Sequence, residues 1–165
     1  MSALGPELHA ALDQLLQGLQ SPDNVLRTQA EAHLNDEWAT SRPEVLLMGL
    51  SEQIEGAQVE AVCRPRRLIP WFPLCVQATL TRQQTRSFAA VLFRRISNRT
   101  RKDPSSTEAS AVTKELFMTL TPPQRGAIRG KLLQALSSES SSAVRNKTAD
   151  AVAEIARQYT DDGKV

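Results

Sequence analysis

Aromatic side chains are scarce in this chain, at 4% of 165 residues, and β-branched runs are few. Sheets stabilise themselves with such residues, so their scarcity argues against a β-rich fold. No apolar stretch reaches the roughly 18 residues that a membrane-crossing helix requires. The first residues, Met1-Ser2-Ala3-Leu4, lack a basic segment followed by an apolar one, so no secretory leader is read there. Only two cysteines occur, Cys63 and Cys75, with no matching pair, which excludes a disulfide framework and a structural zinc knuckle. The chain reads as intracellular with both thiols reduced. Seven scattered glycines form no phosphate-binding loop. His9 and His33 lie on different predicted helices, without a second ligand at metal spacing, and read as polar helix-face residues. Asp161 and Asp162 read as a helix-end turn rather than an acid pair. Asn98-Arg99-Thr100 and Asn146-Lys147-Thr148 match the glycosylation acceptor pattern, which an intracellular chain leaves unused. No catalytic constellation, cofactor or metal site is expected, and the chain reads as a non-enzyme.

Acid is also missing where it would balance charge. Residues 1–60 carry ten acids and two bases, while residues 61–102 carry ten bases and no acid. Residues 103–165 carry eight of each, so the net charge of +2 hides two opposed surfaces.

What the chain does contain is leucine and alanine at helical spacing, within a 41% apolar composition. Leu4, Leu8, Leu12, Leu15, Leu16 and Leu19 make one stripe. Ser21-Pro22-Asp23-Asn24 breaks it, with Ser21 placed as N-cap and Pro22 as first helical residue. A second helix follows, with Val25, Leu26, Ala30, Leu34 and Trp38 as its expected buried set. Pro43 opens a third, carrying Val45, Leu46, Leu47, Leu50 and Ile54. Periodicity resumes over 82–100 through Phe88, Ala89, Val91, Leu92, Phe93 and Ile96. After a polar stretch, Thr121-Pro122-Pro123-Gln124 has the form of a capping box. It opens a helix with Ile128, Leu132, Leu133 and Leu136. A serine-rich turn leads to a last helix with Val144, Ala149, Val152, Ala153, Ile155 and Ala156. Short links require antiparallel pairs.

The second helices share a grammar. Val25-Leu26-Arg27-(x)2-Ala30-(x)3-Leu34 compares with Val144-Arg145-(x)3-Ala149-(x)2-Val152. An arginine near the helix start can reach turn carbonyls or acids of the next hairpin, and the small residue after it lets helices approach. This is the logic of a HEAT-type solenoid. An irregular six-helix bundle remains the alternative on pattern alone.

The string Ser21-Pro22-Asp23-Asn24-Val25-Leu26-Arg27-(x)2-Ala30-Glu31-(x)2-Leu34, followed by Glu37-Trp38, resembles the opening of the importin-beta superfamily. Within that family it most resembles the fungal importin beta-three subtype. Ala89-Ala90-Val91-Leu92-Phe93-Arg94-Arg95-Ile96 is similar to the second helix of the second repeat. Ile128-Arg129-(x)2-Leu132-Leu133 and the Val144–Ala156 string are similar to the third. The resemblance covers residues 7–56 and 82–160. It implies an all-α solenoid start of about three HEAT-like hairpins with an irregular insertion. Residues 1–56 would hold the first hairpin and the first helix of the second, and 82–102 the second helix. A linker would follow at 103–120, a third hairpin at 121–160 and a tail at 161–165.

The resemblance fails over 57–81. Arg27 to Arg86 spans 59 positions, against a repeat of about 40 residues. With three prolines and an aromatic cluster, Cys63 to Cys75 reads as irregular, either a foreign insertion such as retained intron or a basic-aromatic recognition loop.

For function, the resemblance implies the N-terminal segment of a nuclear import receptor. Its second helices would line a concave surface that binds the GTP-bound small GTPase Ran. The matched positions are Asn24, Arg27 and Glu31, then Arg94 and Arg95, then Asp150 and Glu154. The complete receptor would bind cargo bearing nuclear localisation signals and Phe-Gly nucleoporins, and would shuttle between cytoplasm and nucleus. The basic run Arg94, Arg95, Arg99, Arg101 and Lys102 reads first as a solvated helix end, where cations are favoured, and second as a contact for an acidic partner. A generic helical scaffold and a basic nucleic-acid module are the competing functions. The latter lacks an aromatic stacking platform. The last face of the stack, with Val152 and Ile155, is expected to lack a neighbour, leaving an isolated chain marginal or self-associating.

Overall fold

The computed structural model describes residues 5–56, 72–102 and 113–162. Among the described residues there are six helices: α1 (Pro6–Leu19), α2 (Asn24–His33), α3 (Pro43–Glu55), α4 (Phe72–Ser97), α5 (Pro122–Ser138) and α6 (Ser142–Asp162). A six-residue π-helical turn, Leu34–Ala39, prolongs α2. Between α4 and α5 lie β1 (Thr100–Lys102), β2 (Thr113–Glu115) and a 3-10 turn, Leu116–Thr119. The two strands form an antiparallel ribbon with Arg101 opposite Lys114.

Local chemistry sets the starts of these helices. Pro6, Pro43 and Pro122 each stand in a first turn, where a missing N–H is no loss. The cap of α2 is Asp23 and not Ser21. The Asp23 carboxylate accepts from the Val25 N–H at 2.8 Å, and the Ser21 hydroxyl accepts from the Asp23 N–H at 3.2 Å. A carboxylate beside the free N–H groups also opposes the positive end of the helix dipole, which favours Asp over Ser at that position. At α5 the Gln124 side-chain oxygen accepts from the Thr121 N–H at 3.0 Å, the reciprocal bond of a capping box, and from the Thr121 hydroxyl at 2.8 Å.

Hairpins α1–α2, α3–α4 and α5–α6 stand side by side. First helices neighbour first helices (α3 along α5), and α4 packs along α6. One apolar core runs through the stack. Leu12, Leu15 and Leu16 of α1 meet Leu46, Leu47 and Leu50 of α3, then Ala89, Phe93 and Ile96 of α4, then Ile128, Leu132 and Ile155. Phe117 of the 3-10 turn is fully buried between Phe93 and Tyr159, edge-on to each, with ring centroids 6.5 and 6.1 Å away.

Within the first hairpin, a Cβ added to Gly18 would stand 3.0 Å from the Ala30 Cβ. That close approach of α1 and α2 is what a small residue at position 30 permits. Gly18→Val is expected to destabilise the chain by about 1–3 kcal/mol through overpacking. Urea denaturation checks it, and an unchanged midpoint would mean that the two helices separate freely.

The arginine that ties hairpins together is Arg86. It is 5% exposed, and its Nε and Nη2 donate to the Ile54 carbonyl at 3.2 and 2.9 Å. Nη2 also pairs with the buried Glu139 carboxylate, which accepts in turn from the Ser141 N–H at 2.8 Å. A C-terminal carbonyl of α3, which has no helical donor, and the α5–α6 turn are thus joined by one side chain. On the opposite helices, Glu52 of α3 lies between His9 of α1 at 2.8 Å and Lys131 of α5 at 2.5 Å.

Several sequence expectations need correction. Helix α4 begins at Phe72, so the last ten positions of the expected insertion, 72–81, are helical, while 57–71 lie outside the described residues. Pro73 sits in the first turn, where proline is tolerated. The expected linker 103–120 ends in structured core, because Leu116, Phe117 and Leu120 are buried. Val25 and Leu26 are 63% and 51% exposed and not buried, because α2 turns Arg27, Ala30 and Leu34 inward instead. Leu133 is exposed as well. Ala151, Ile155 and Gln158 form the inward face of α6, so Ile155 is buried rather than on an open end. Val152 is half-buried, and Ala153 and Ala156 are exposed.

Candidate protein-interaction surface

The second helices α2, α4 and α6 carry the seven residues that the sequence singles out, and the structure sorts them into three places. Between α2 with its π turn and α4 lies a groove of about 510 Å³. Leu19, Leu34, Phe88, Val91, Leu92 and Ile96 line it with apolar surface, and Arg27, Glu31, Asn35, Arg95 and Arg99 form its polar rim. Arg27, Glu31 and Arg95 therefore come together. Asn24 joins them indirectly, since its Oδ1 accepts from Arg27 Nη2 at 2.6 Å. Arg99 Nη1 donates to Asn35 Oδ1 at 2.8 Å, linking α4 to the π turn.

Arg94 points the other way, toward α6. Its Nη1 stands 3.8 Å from Asp150, which also has Lys147 Nζ at 3.9 Å. These groups are about half exposed, so the ion pairs contribute little to stability and mainly orient the side chains. Glu154 belongs to a third cluster. Arg157 gathers Glu154 and Asp161 at 2.6 Å each and Glu115 at 2.7 Å. The hydrogen bond to Glu115, then that to Glu154, holds its guanidinium even more firmly protonated than usual. That cluster fastens the strand β2 to α6.

The sequence missed the apolar lining and Asn35. Leu19, Leu34, Leu92 and Ile96 look like core residues by spacing, and they are buried as core residues are. Their edges become groove only because α2 and α4 stand apart. Asn35 had no signal, since its position depends on the π turn. The Thr40 hydroxyl accommodates that turn by donating to the Asn35 carbonyl at 2.7 Å.

Among the described residues no group of three His, Cys, Asp or Glu side chains could hold a metal ion, and no helix is long and apolar enough to cross a membrane. His33 pairs with Glu37 at 2.5 Å one turn on. The cysteine side chains lie outside the described residues. Both acceptor patterns for glycosylation are engaged in the fold. Asn98 Oδ1 accepts from Gln158, and Thr148 is fully buried with its hydroxyl donating to the Val144 carbonyl at 2.9 Å.

Stacked antiparallel hairpins with a groove between consecutive second helices define a HEAT-type helical solenoid segment. No protein-family model matches the chain. Importin subunit beta-3 of Saccharomyces cerevisiae is 31% identical over 155 residues, which is 93% of this chain and 12% of that protein. A crystal structure of Kap121p bound to RanGTP superposes with a TM-score of 0.61 at 25% identity, covering 92% of this chain and 11% of that one. Kap121p bound to Nup53p gives 0.60 at 25% identity, with the same coverage. The chain is a karyopherin-beta-like segment, and it spans about an eighth of the length of the importin it matches.

Proposed function

We propose that this chain binds the GTP-bound form of Ran on the face formed by α2, α4 and α6, as the N-terminal, concave part of a nuclear import receptor. The observation that carries this reading is the α2–α4 groove. It places Arg27, Glu31 and Arg95 around one apolar hollow, with the Arg94–Asp150 pair beside it on the same row of helices. An apolar seat ringed by directional charges is the anatomy of a protein-binding hot spot: the apolar part supplies affinity and the charges supply orientation and on-rate. The reading draws support from Kap121p having been captured with RanGTP. In the complete receptor, cargo with nuclear localisation signals and Phe-Gly nucleoporins would bind elsewhere, the latter along the outer helices, and the receptor would shuttle between cytoplasm and nucleus. Binding of Ran and of cargo would be reciprocally coupled. The activity is binding, with no catalytic step.

Pull-down by immobilised chain decides the matter. Ran loaded with a non-hydrolysable GTP analogue is expected to be retained and Ran-GDP to be washed away. Equal retention of both nucleotide states would identify a generic scaffold. Retention of DNA or RNA that falls steeply with salt would identify a nucleic-acid module instead.

A further inference from the structure

The joints between hairpins are not alike. Between the second and third hairpins, α4 packs along α6 and α3 along α5. Arg86–Glu139, Lys131–Glu52 and Arg94–Asp150 all cross that joint. Between the first and second hairpins, α1 meets α3 and α4 only briefly, the π turn touches α3, and α2 barely meets α4. The outer side of this joint is pinned, by His9–Glu52 at 2.8 Å and by Gln53 donating to Asp13 at 2.5 Å. The inner side is the 510 Å³ groove, crossed by the exposed Arg99–Asn35 hydrogen bond. A joint fastened along one edge and open along the other is a hinge, because tilting costs few packed contacts on the open side.

We propose that the first hairpin is a lever that tilts about the α1–α3 contact, and that occupation of the α2–α4 groove sets its angle. Arg99 and Asn35 latch the empty groove loosely, since a single exposed hydrogen bond contributes little net stability. The π turn lies on the moving side and supplies Leu34 and Asn35 to the groove. A partner side chain seated on the apolar lining binds one tilt better than the others, and that difference in affinity is what shifts the population. Hairpins two and three move as one block. The coupling to a partner rests on the Ran reading above, whereas the unequal joints do not.

Pulsed electron paramagnetic resonance on the full 165-residue chain tests both parts. Cys63 and Cys75 are first replaced by serine. Spin labels are then placed at exposed positions as pairs Ala32→Cys with Gln84→Cys, across the first joint, and Gln84→Cys with Asn146→Cys, across the second. In the free chain the first distance distribution is expected to be at least about twice as wide as the second, and Arg99→Ala is expected to widen only the first. Equal widths in the free chain would overturn the lever even if Ran binds well. Addition of GTP-analogue-loaded Ran is expected to narrow the first distribution to the width of the second. Binding with no narrowing would overturn the coupling. Absence of any Ran binding would instead count against the function proposed above, and the free-chain comparison would still decide the lever.

Discussion

Arg86→Ala is expected to lower stability by about 3–5 kcal/mol, the usual result of removing one member of a buried ion pair. The magnitude follows from what would be left behind. Glu139 is 6% exposed, so its carboxylate would lie in the interior with only the Ser141 N–H as donor. The Ile54 carbonyl would lose both of its guanidinium donors. A chain of this size has roughly 5–15 kcal/mol in total, so the loss amounts to about a fifth of it or more. At about 2–4 °C per kcal/mol the melting temperature should fall by roughly 10 °C. Glu139→Ala should be comparably damaging, since it strands the guanidinium, whose Nη1 already has no partner. The double change Arg86→Met with Glu139→Leu should recover most of the stability, because no charge then remains buried. Calorimetry on the four chains is sufficient. If Arg86→Ala melts within a degree of the parent, the pair is not what locks the second hairpin to the third.

Arg86 also shows how far the sequence could be followed. Arg27 and Arg145 suggest that an arginine early in a second helix reaches a turn carbonyl or a neighbouring acid, yet Arg86, in the middle of α4, makes both contacts. Arg27 bonds within its own helix instead, to Asn24. The three hairpins were legible because leucines and alanines repeat at three and four positions, and turns with Pro, Ser or Asp separate them. The start of α4 was not legible. Proline at position 73 reads as a breaker until the helix is seen to begin one residue earlier, where proline is tolerated. Phe117 was invisible for a different reason: a four-residue 3-10 turn is too short to show a period, and only its place between Phe93 and Tyr159 makes it core. The groove was half legible. Charged positions on the second helices were marked by family likeness, but the gap beside them arises from the thin first joint, which no local pattern records.

That same separation of charges yields the largest expected effect on binding. Charge reversal of Arg27 and Arg95 together should weaken the proposed association with GTP-loaded Ran by at least about 100-fold, near 3 kcal/mol. Both line the groove rim, and among the described residues Arg95 has no acidic partner, so glutamate there would place uncompensated negative charge beside Glu31. Arg94→Glu alone should have a smaller effect. Arg94 already faces Asp150, so reversing it chiefly sets two acids against each other across α4 and α6, and Asp150→Arg in the same chain should restore that pair. The two arginines are adjacent in sequence and indistinguishable by type, and only the helical rotation between them assigns one to the groove and the other to the joint. All three arginines are exposed or half-buried, and surface changes of this kind alter stability by about 0.5 kcal/mol or less, so unchanged melting would attribute the loss to the surface itself. Titration by calorimetry separates the cases. If Arg94→Glu proves as damaging as the Arg27 and Arg95 pair, recognition is spread along the helix row, and the groove is not its seat.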